Sequence, residues 1–221
     1  MNNPILIIKK IYRNRFSHKE QKSREKMWKA IYDFSLSNYI KSTDVVVDIA
    51  AGKCELINII TCRKKIAIDI NSDVKLYANK DVQVLNASAL DIPKSFEKSA
   101  DVVILSHFLE HLNSKDEVVA VIRRVYSILK TGGKILILQP NIDLVKEAYW
   151  DFIDHKVALN TKSILELLDV TDFKLLKLIV RYLPYSSKSN LPISRFLIYI
   201  YLKLPEFIRP FAGQTLVIAT K

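Results

Sequence analysis

Residues 45–55, Val-Val-Val-Asp-Ile-Ala-Ala-Gly-Lys-Cys-Glu, constrain the fold of this chain more than any other stretch. An apolar run that ends in an acid, here Asp48, and continues into small residues predicts a buried strand and a tight turn. The apolar residues that follow predict a helix over 55–62. Small side chains at such a turn let backbone N–H groups approach a ligand closely. We therefore expect a ligand-binding strand-turn-helix unit near the start of an α/β domain.

The same apolar pattern recurs along the chain. It predicts further strands at 65–69, 82–85, 101–105, 134–138, 174–182 and 214–220, and helices at 19–39, 73–79, 114–130, 142–150 and 161–168. Apolar strands that alternate with helices predict a parallel sheet covered on both faces, with ligands at the carboxyl ends of its strands. Asp69 ends a predicted strand, and Asp48, Ser88, Ser106 and His107 lie at or just beyond the ends of others. We therefore expect these residues along one edge of the sheet.

Length, cysteine content and hydropathy disfavour a disulfide-rich, a secreted or a membrane-spanning protein. The 221 residues suit one α/β domain with some decoration. Cys54 and Cys62 form neither a disulfide framework nor a Cys-x-x-Cys pair, which favours reduced thiols in a cytoplasmic protein and no metal site. No signal peptide is recognisable, and no apolar run approaches the roughly 20 residues of a membrane-spanning helix.

The formal net charge of +11 is concentrated at the two ends of the chain. Residues 1–41 carry ten Lys and Arg against three acids, and residues 174–221 carry eight against one. Residues 42–173 carry sixteen against nineteen and are therefore nearly neutral. Basic ends suit an anionic partner such as a phosphate-bearing substrate, a membrane surface or nucleic acid. A solvated basic surface explains the same charges.

Composition divides the chain into two parts. Residues 1–42 are predicted to form a basic arm and a helix that closes over a cofactor as a lid, and residues 43–221 the main domain. Within it, 183–212 is an insertion with four of the seven prolines and an aromatic helix at 194–204. Residues 191–211 predict either peripheral membrane contact or a lid over an apolar substrate. Packing against the domain or a second subunit is the structural alternative.

The order of the motifs resembles that of the class I S-adenosylmethionine-dependent methyltransferases over roughly 43–182 and 214–220. The motifs are Asp48-Ile49-Ala50-Ala51-Gly52-Lys53-Cys54, Asp69, Ser88-Ala89-Leu90-Asp91-Ile92-Pro93, Leu109-Glu110-His111-Leu112, Leu129-Lys130-Thr131-Gly132-Gly133 and Gln139-Pro140-Asn141. The resemblance implies a Rossmann-like, doubly wound, mostly parallel seven-stranded sheet with helices on both faces and an antiparallel last strand.

The resemblance also implies S-adenosylmethionine as the cofactor. The positions that match its binding site are Asp48, Ala50, Ala51, Gly52, Asp69, Ile70, Ser88, Ala89, Leu90, Ser106 and His107. Asp69 would accept hydrogen bonds from both ribose hydroxyls, and Asp48 would favour the methionine ammonium. Two of the family's three turn glycines are replaced, by Ala50 and Cys54, and their side chains narrow the approach to the cofactor. The structural alternative is that both acids are helix N-terminal charges.

Histidines and aromatic residues supply the predicted chemistry. His155, His107 and Asp154 are the predicted catalytic residues, because histidine titrates near neutral pH and an adjacent acid suits a general base. Tyr149, Trp150 and His111 are predicted to contact the substrate. Packing against the sheet is the alternative for the aromatic residues, and stabilisation of a turn is the alternative for His111.

The predicted function is methyl transfer to a small, glycan-linked or lipid-linked acceptor, with oxygen as the favoured atom. Three segments resemble a bacterial branch of the family in cell-surface glycan and lipid pathways: Ala51-Gly52-x-Cys54-Glu55, Tyr149-Trp150-Asp151-Phe152-x-Asp154-His155 and Arg181-Tyr182-Leu183-Pro184-Tyr185. The two reduced cysteines favour the cytoplasm, and residues 191–211 allow peripheral contact with the inner face of the membrane. One alternative is an RNA or DNA methyltransferase, which the absence of an Asn/Asp-Pro-Pro-Tyr/Phe motif disfavours. The other is a non-catalytic cofactor-binding module. The sequence leaves the oligomeric state open.

Overall fold

The computed structural model describes residues 10–11, 18–185 and 194–221, with the side chains of 18–20 left out. Most of the predicted basic arm therefore lies outside the described residues. The same holds for 186–193 of the predicted insertion, which includes the first three residues of the predicted membrane segment.

Seven strands form a single sheet in the order β3-β2-β1-β4-β5-β7-β6. The strands are β1 Val45–Ile49, β2 Lys64–Asp69, β3 Val82–Asn86, β4 Ala100–Ser106, β5 Leu129–Pro140, β6 Lys174–Pro184 and β7 Ala212–Thr220. β7 is antiparallel to both of its neighbours, whereas the pairs among β1 to β5 are parallel. The predicted doubly wound sheet with an antiparallel last strand is confirmed.

Helices cover both faces of this sheet. The α-helices are α1 His18–Phe34, α2 Val74–Tyr77, α3 Lys115–Ile128, α4 Ile142–Val145, α5 Thr161–Asp169 and α6 Arg195–Lys203. Short 3₁₀ helices lie at Leu36–Tyr39, Lys94–Phe96, Leu109–His111, Lys146–Asp151 and Glu206–Ile208. α3 begins at Ser114, whose hydroxyl accepts a hydrogen bond from Glu117 N and so satisfies an N-terminal donor.

The helix predicted at 55–62 is wrong, because consecutive turns occupy this segment. Its backbone bonds are isolated, such as Asn58 N to Cys54 O and Ile59 N to Leu56 O. Three β-branched isoleucines and an asparagine lower helix propensity in so short a segment. The Asn58 side chain instead donates to Tyr77 O and accepts from Asn79 N, which fixes the segment against the loop after α2.

Alternate residues of each central strand enter two separate apolar cores. Val45, Val47 and Ile49 pack with α3 on one face, while Val46 packs on the other face with Trp28 of α1. Because side chains alternate along a strand, a run that is buried throughout requires cover on both faces. β1 is buried at all five positions, as a central strand of such a sheet must be.

The end of the insertion is anchored to β6 by Arg209, which is buried. Its guanidinium donates to the carbonyl oxygens of Leu202, Leu204 and Arg181. Arg181 returns a hydrogen bond to Arg209 O. Carbonyls at the end of α6 are thereby satisfied, and the helix is held in a fixed position beside the sheet. In the described part of the chain, helices are all too short or too polar to cross a membrane.

The turn after β1 takes a left-handed backbone at alternate residues. Ala50, Gly52 and Cys54 have φ of 59°, 54° and 58°. These are the three positions at which the resembled family has glycine. A left-handed backbone strains a residue with a Cβ by roughly 1–2 kcal/mol, so the turn keeps the glycine geometry at an energetic cost.

We expect Ala50→Gly to stabilise the protein by about 0.5–1 kcal/mol. Glycine removes the strain of the left-handed backbone, which stabilises the folded protein. It also loses more backbone entropy on folding than alanine does, which reduces the net gain. Urea unfolding measures it. Ala51→Gly is the matched control, because Ala51 is not among the residues with positive φ and its replacement should destabilise the protein. Equal destabilisation by both variants would show that the turn carries no strain.

Candidate active site

The carboxyl ends of β1 and β2 bring Asp69 against the turn after β1. Asp69 Oδ2 accepts a hydrogen bond of 2.8 Å from Gly52 N, and Oδ1 accepts one of 2.7 Å from Asn71 N. A carboxylate oxygen can accept two hydrogen bonds, so each oxygen retains a position for a ligand hydroxyl. Burial raises the pKa of Asp69, and the two N–H donors oppose that shift.

Asp48 is the most deeply desolvated acid of this edge. Burial, reinforced by the charges of Asp69 and Glu55, raises the pKa of Asp48 to about 8. Arg24 forms an ion pair of 2.8 Å with Glu55, while no hydrogen bond from the described part of the chain offsets the burial of Asp48. A buried carboxyl group beside two other acids favours a cationic ligand, since a positive charge would restore its ionised form.

The loops that follow β2 and β3 place apolar side chains beside the Asp69 carboxylate. Asn86 donates to the carbonyl oxygens of Asp69 and Ile70, which fixes the chain just after β2. In the next loop, the Ser88 hydroxyl accepts from Leu90 N. Ile70 and Leu90 are both exposed, whereas Ala89 between Ser88 and Leu90 is buried. Exposed apolar side chains next to the Asp69 carboxylate suit a ligand that is flat and apolar at one end.

His107 lies directly after β4 with a left-handed backbone, φ 50°. Its Nε2 is 3.0 Å from Gln214 Oε1, and the Gln214 amide nitrogen donates to Pro184 O. The Gln214 oxygen therefore accepts, and Nε2 must carry the proton of the neutral ring. Nδ1 then accepts from the Ser106 hydroxyl at 3.1 Å. Burial lowers the pKa of His107 to about 4, aided by Arg24 and by the nearby imidazoles of His111 and His155. A neutral ring with both nitrogens engaged orients Ser106 at physiological pH.

A second group of polar side chains lies beyond the same strand. His111 Nδ1 is 3.0 Å from Asp154 O and 3.4 Å from the Asp154 carboxylate. His155 Nδ1 is 2.8 Å from Tyr149 O, and the two imidazole centroids are 5.2 Å apart. Glu110, which is buried, completes the group. Two imidazoles and two carboxylates in one cluster can move protons or hold a cation.

The aromatic residues predicted to contact the substrate occupy different environments. Tyr149 is fully buried and donates its hydroxyl proton to Val157 O, and burial raises the pKa of that hydroxyl. Trp150 is exposed and packs edge-to-face on Tyr149 with ring centroids 5.1 Å apart. Phe152 stacks at 5.0 Å on His155. Tyr149 therefore supports the cluster from within, while Trp150 and Phe152 border it.

Two contacts of this site were missed by the sequence reasoning. Gln214 reaches His107 across 107 positions of the chain, and Glu110 meets His155 from another segment. The sequence patterns assigned Glu110 no role in this site. The signal that could have found it is the Glu-His pair at the end of a predicted strand, since both residue types are common ligands and proton carriers.

The comparisons with known proteins agree with this architecture. Residues 47–137 match a family model described as a methyltransferase domain. The comparison with curated proteins found no match. Among solved structures, the chain is similar to a SAM-dependent methyltransferase from Archaeoglobus fulgidus, with 22% identity over 91% of this chain and 97% of that chain and a TM-score of 0.65.

Two further solved structures share the fold. A SAM-dependent methyltransferase from Methanosarcina mazei is 18% identical over 84% of this chain and 96% of that chain, with a TM-score of 0.61. The 1,6-didemethyltoxoflavin-N1-methyltransferase of Burkholderia thailandensis, solved with S-adenosylhomocysteine, is 14% identical over 89% and 78%, with a TM-score of 0.57.

The matched family model spans the turn after β1, the acid at the end of β2 and the Glu-His segment after β4. The raised pKa of Asp48 favours a positive charge beside it, and the Asp69 carboxylate keeps acceptor positions for hydroxyl groups. Residues 47–137 therefore form a methyltransferase domain, and the chain as a whole has the fold of S-adenosylmethionine-dependent methyltransferases.

Proposed function

We propose that the protein methylates a hydroxyl oxygen of a small, glycan-linked or lipid-linked acceptor. The observation that carries this proposal is the cluster of His111, His155 and Asp154 beyond β4. A hydroxyl group is a weak nucleophile until its proton is held by a base, and imidazole is the side chain best suited to that task near neutral pH. His155 is the proposed base, and Asp154 with His111 orients the cluster.

The cofactor would be held along the ends of β1, β2 and β3. Asp69 would accept the ribose hydroxyls, Asp48 would face the cationic methionine portion, and Ile70 and Leu90 would flank the adenine. When bound, S-adenosylmethionine supplies a methyl group on a positively charged sulfur. The proposed cofactor site also includes Ala50, Ala51, Gly52, Ser88, Ala89, Ser106 and His107.

His107 supports this function as a positioning residue. Its neutral ring, held between Gln214 and Ser106, fixes the Ser106 hydroxyl at the end of β4. Trp28 of α1 lies edge-on to the ring with centroids 6.4 Å apart. This contact supports the predicted closure of the N-terminal segment over the cofactor.

An exposed apolar surface favours an acceptor at a membrane. We name it the insertion surface; its members are Phe196, Leu197, Ile200, Phe207 and Phe211, all exposed. The opposite side of α6 packs on α1, where Tyr199 meets Phe34 at 5.0 Å and Arg195 pairs with Asp33 at 2.9 Å. Arg195 and Lys203 at the two ends of α6 are exposed beside this surface. Basic residues next to exposed aromatic side chains match the boundary of an anionic bilayer, so we propose peripheral contact at this surface.

We expect Asp69→Asn to weaken cofactor binding by at least about tenfold. The variant removes the negative charge that would accept the ribose hydroxyls, and a hydrogen bond to a charged group contributes about 1.5–3 kcal/mol. Isothermal titration with S-adenosylmethionine measures the change. Asp91→Asn, at an exposed acid in the neighbouring loop, is the control and should bind normally. Unchanged affinity in Asp69→Asn would reject the ribose role.

Asp48→Asn should raise stability at pH 8 and weaken cofactor binding. The folded protein holds the Asp48 proton up to a pKa of about 8, against an ordinary value of 3.8 in the unfolded chain, so the folded state binds more protons. Stability is therefore lost between pH 3.8 and pH 8, by an amount on the order of a few kcal/mol. The isosteric amide avoids this loss, and thermal unfolding at pH 4.5 and pH 8 measures the difference.

The control for this measurement is Asp44→Asn, because Asp44 directly precedes β1 whereas Asp48 lies near its end. Asp44 accepts a hydrogen bond from Lys41 N, so its replacement should destabilise the protein at pH 8. Wild-type affinity for the cationic cofactor should also rise between pH 6 and pH 7.5, whereas the affinity of Asp48→Asn should not. A less stable Asp48→Asn at pH 8 would contradict the burial argument.

The wild-type protein should sediment with vesicles that contain about one third phosphatidylglycerol. Phe207→Ser combined with Phe211→Ser should lower the partition coefficient at least about tenfold, since burial of each aromatic side chain contributes about 1.5–3 kcal/mol. Leu76→Ser is the control, because Leu76 is equally exposed but lies outside the insertion surface. Equal partition of all three proteins would exclude this surface as the membrane contact.

A further inference from the structure

Glu110, His111 and His155 converge from two segments of the chain. Their candidate ligand atoms, a carboxylate oxygen and one nitrogen of each imidazole, all lie within 4.8 Å of one another. Lys156 N and Val157 N both donate to Glu110 O, at 2.8 and 3.1 Å, and tie the two segments together. The geometry of the cluster therefore depends on main-chain hydrogen bonds as well as on side chains.

The hydrogen bonds of the two imidazoles set their tautomers. His111 Nδ1 faces Asp154 O at 3.0 Å, and His155 Nδ1 faces Tyr149 O at 2.8 Å. A carbonyl oxygen only accepts, so each Nδ1 carries the proton and each Nε2 of the neutral ring carries a lone pair. Donation from one ring nitrogen to a backbone carbonyl is the arrangement that orients metal-binding histidines.

Glu110 provides an independent indication of a ligand. The residue has a relative exposure of only 2%, and Oε2 has no hydrogen-bond partner among the residues that the structure describes. Burial raises the pKa of Glu110, and the charge of Asp154 adds to the shift while His111 opposes it. A buried oxygen without a partner costs roughly 1–3 kcal/mol, more if it is charged, and a cation at this oxygen would remove that cost.

We propose that Glu110, His111 and His155 bind a divalent transition-metal ion. Two imidazoles and one carboxylate suit Zn²⁺, Mn²⁺, Fe²⁺ or Co²⁺ better than Mg²⁺ or Ca²⁺, which prefer oxygen ligands. The Asp154 carboxylate, 3.4 Å from His111 Nδ1, stabilises the first imidazole from outside the ligand set. The prediction of no metal site was based on the spacing of the two cysteines. That spacing carries no information about a site formed by a glutamate and two histidines from separate segments.

Three protein ligands leave coordination positions for an acceptor. A divalent cation lowers the pKa of a coordinated hydroxyl group, so the site would bind an acceptor hydroxyl and hold it in a more acidic form. This use of the metal rests on the proposed O-methylation and would replace proton acceptance by His155, because the same imidazole lone pair would bind the ion. Metal binding itself does not rest on that function. It narrows the acceptor class to molecules with a hydroxyl group that can reach the cluster.

Metal binding is tested on the full chain after treatment with a chelator and without cofactor. Titration with Co²⁺, followed by visible absorption, and calorimetry with Zn²⁺ should each show one site per chain. Glu110→Gln and His155→Gln should each weaken binding by at least about tenfold. Glu97→Gln is the control, since this exposed carboxylate lies away from the cluster and should bind the metal normally. Thermal unfolding confirms that each variant is folded.

Absence of stoichiometric binding to the wild-type chain would overturn the metal site, as would unchanged affinity in both variants. Methyl transfer to hydroxyl acceptors, assayed with and without added Zn²⁺ or Mn²⁺, separates the two proposals. One metal ion per chain without any transfer to hydroxyl groups would contradict the proposed function and leave the metal site standing. Transfer at the same rate with a chelator present, and no metal bound, would reject the metal site alone.

Discussion

The constraint on which the rest of the structure depends is the burial of acidic side chains at the carboxyl edge of a parallel sheet. β1 and β2 are central strands, so the residues at their ends, Asp48 and Asp69, are withdrawn from water together with Glu55. Arg24 supplies one compensating charge. The remaining acids have no such partner within the described residues, and this edge of the sheet therefore favours a positively charged ligand.

This edge explains why the fold tolerates local strain. The N–H groups of Ala50 and Ala51 point to Ile68 O, and that of Gly52 points to Asp69. A relaxed, right-handed turn would turn these donors away from the end of β2. The left-handed residues therefore cost stability and in return direct these N–H groups toward the end of β2.

Much of the architecture was predictable because it follows from local patterns. The apolar runs predicted the strands, and the position of Asp69 at the end of β2 predicted that it lies at the carboxyl edge of the sheet. The segment 55–62 was misread because its apolar content suits a helix, whereas its branched side chains and Asn58 favour turns anchored by long-range contacts. Contacts such as His107 with Gln214 lie beyond sequence reasoning, since they depend on how β7 enters between β5 and β6.

The anchoring of the insertion has a consequence for how the sheet meets other molecules. β6 is an edge strand, and unpaired N–H groups on such a strand invite another strand to add to the sheet. Here the Val180 N–H donates to Glu206, and Arg209 donates to the neighbouring Arg181 carbonyl. The insertion thus occupies the hydrogen-bonding positions in the middle of the edge. Any second protein that extends the sheet there must first displace the segment that carries the insertion surface.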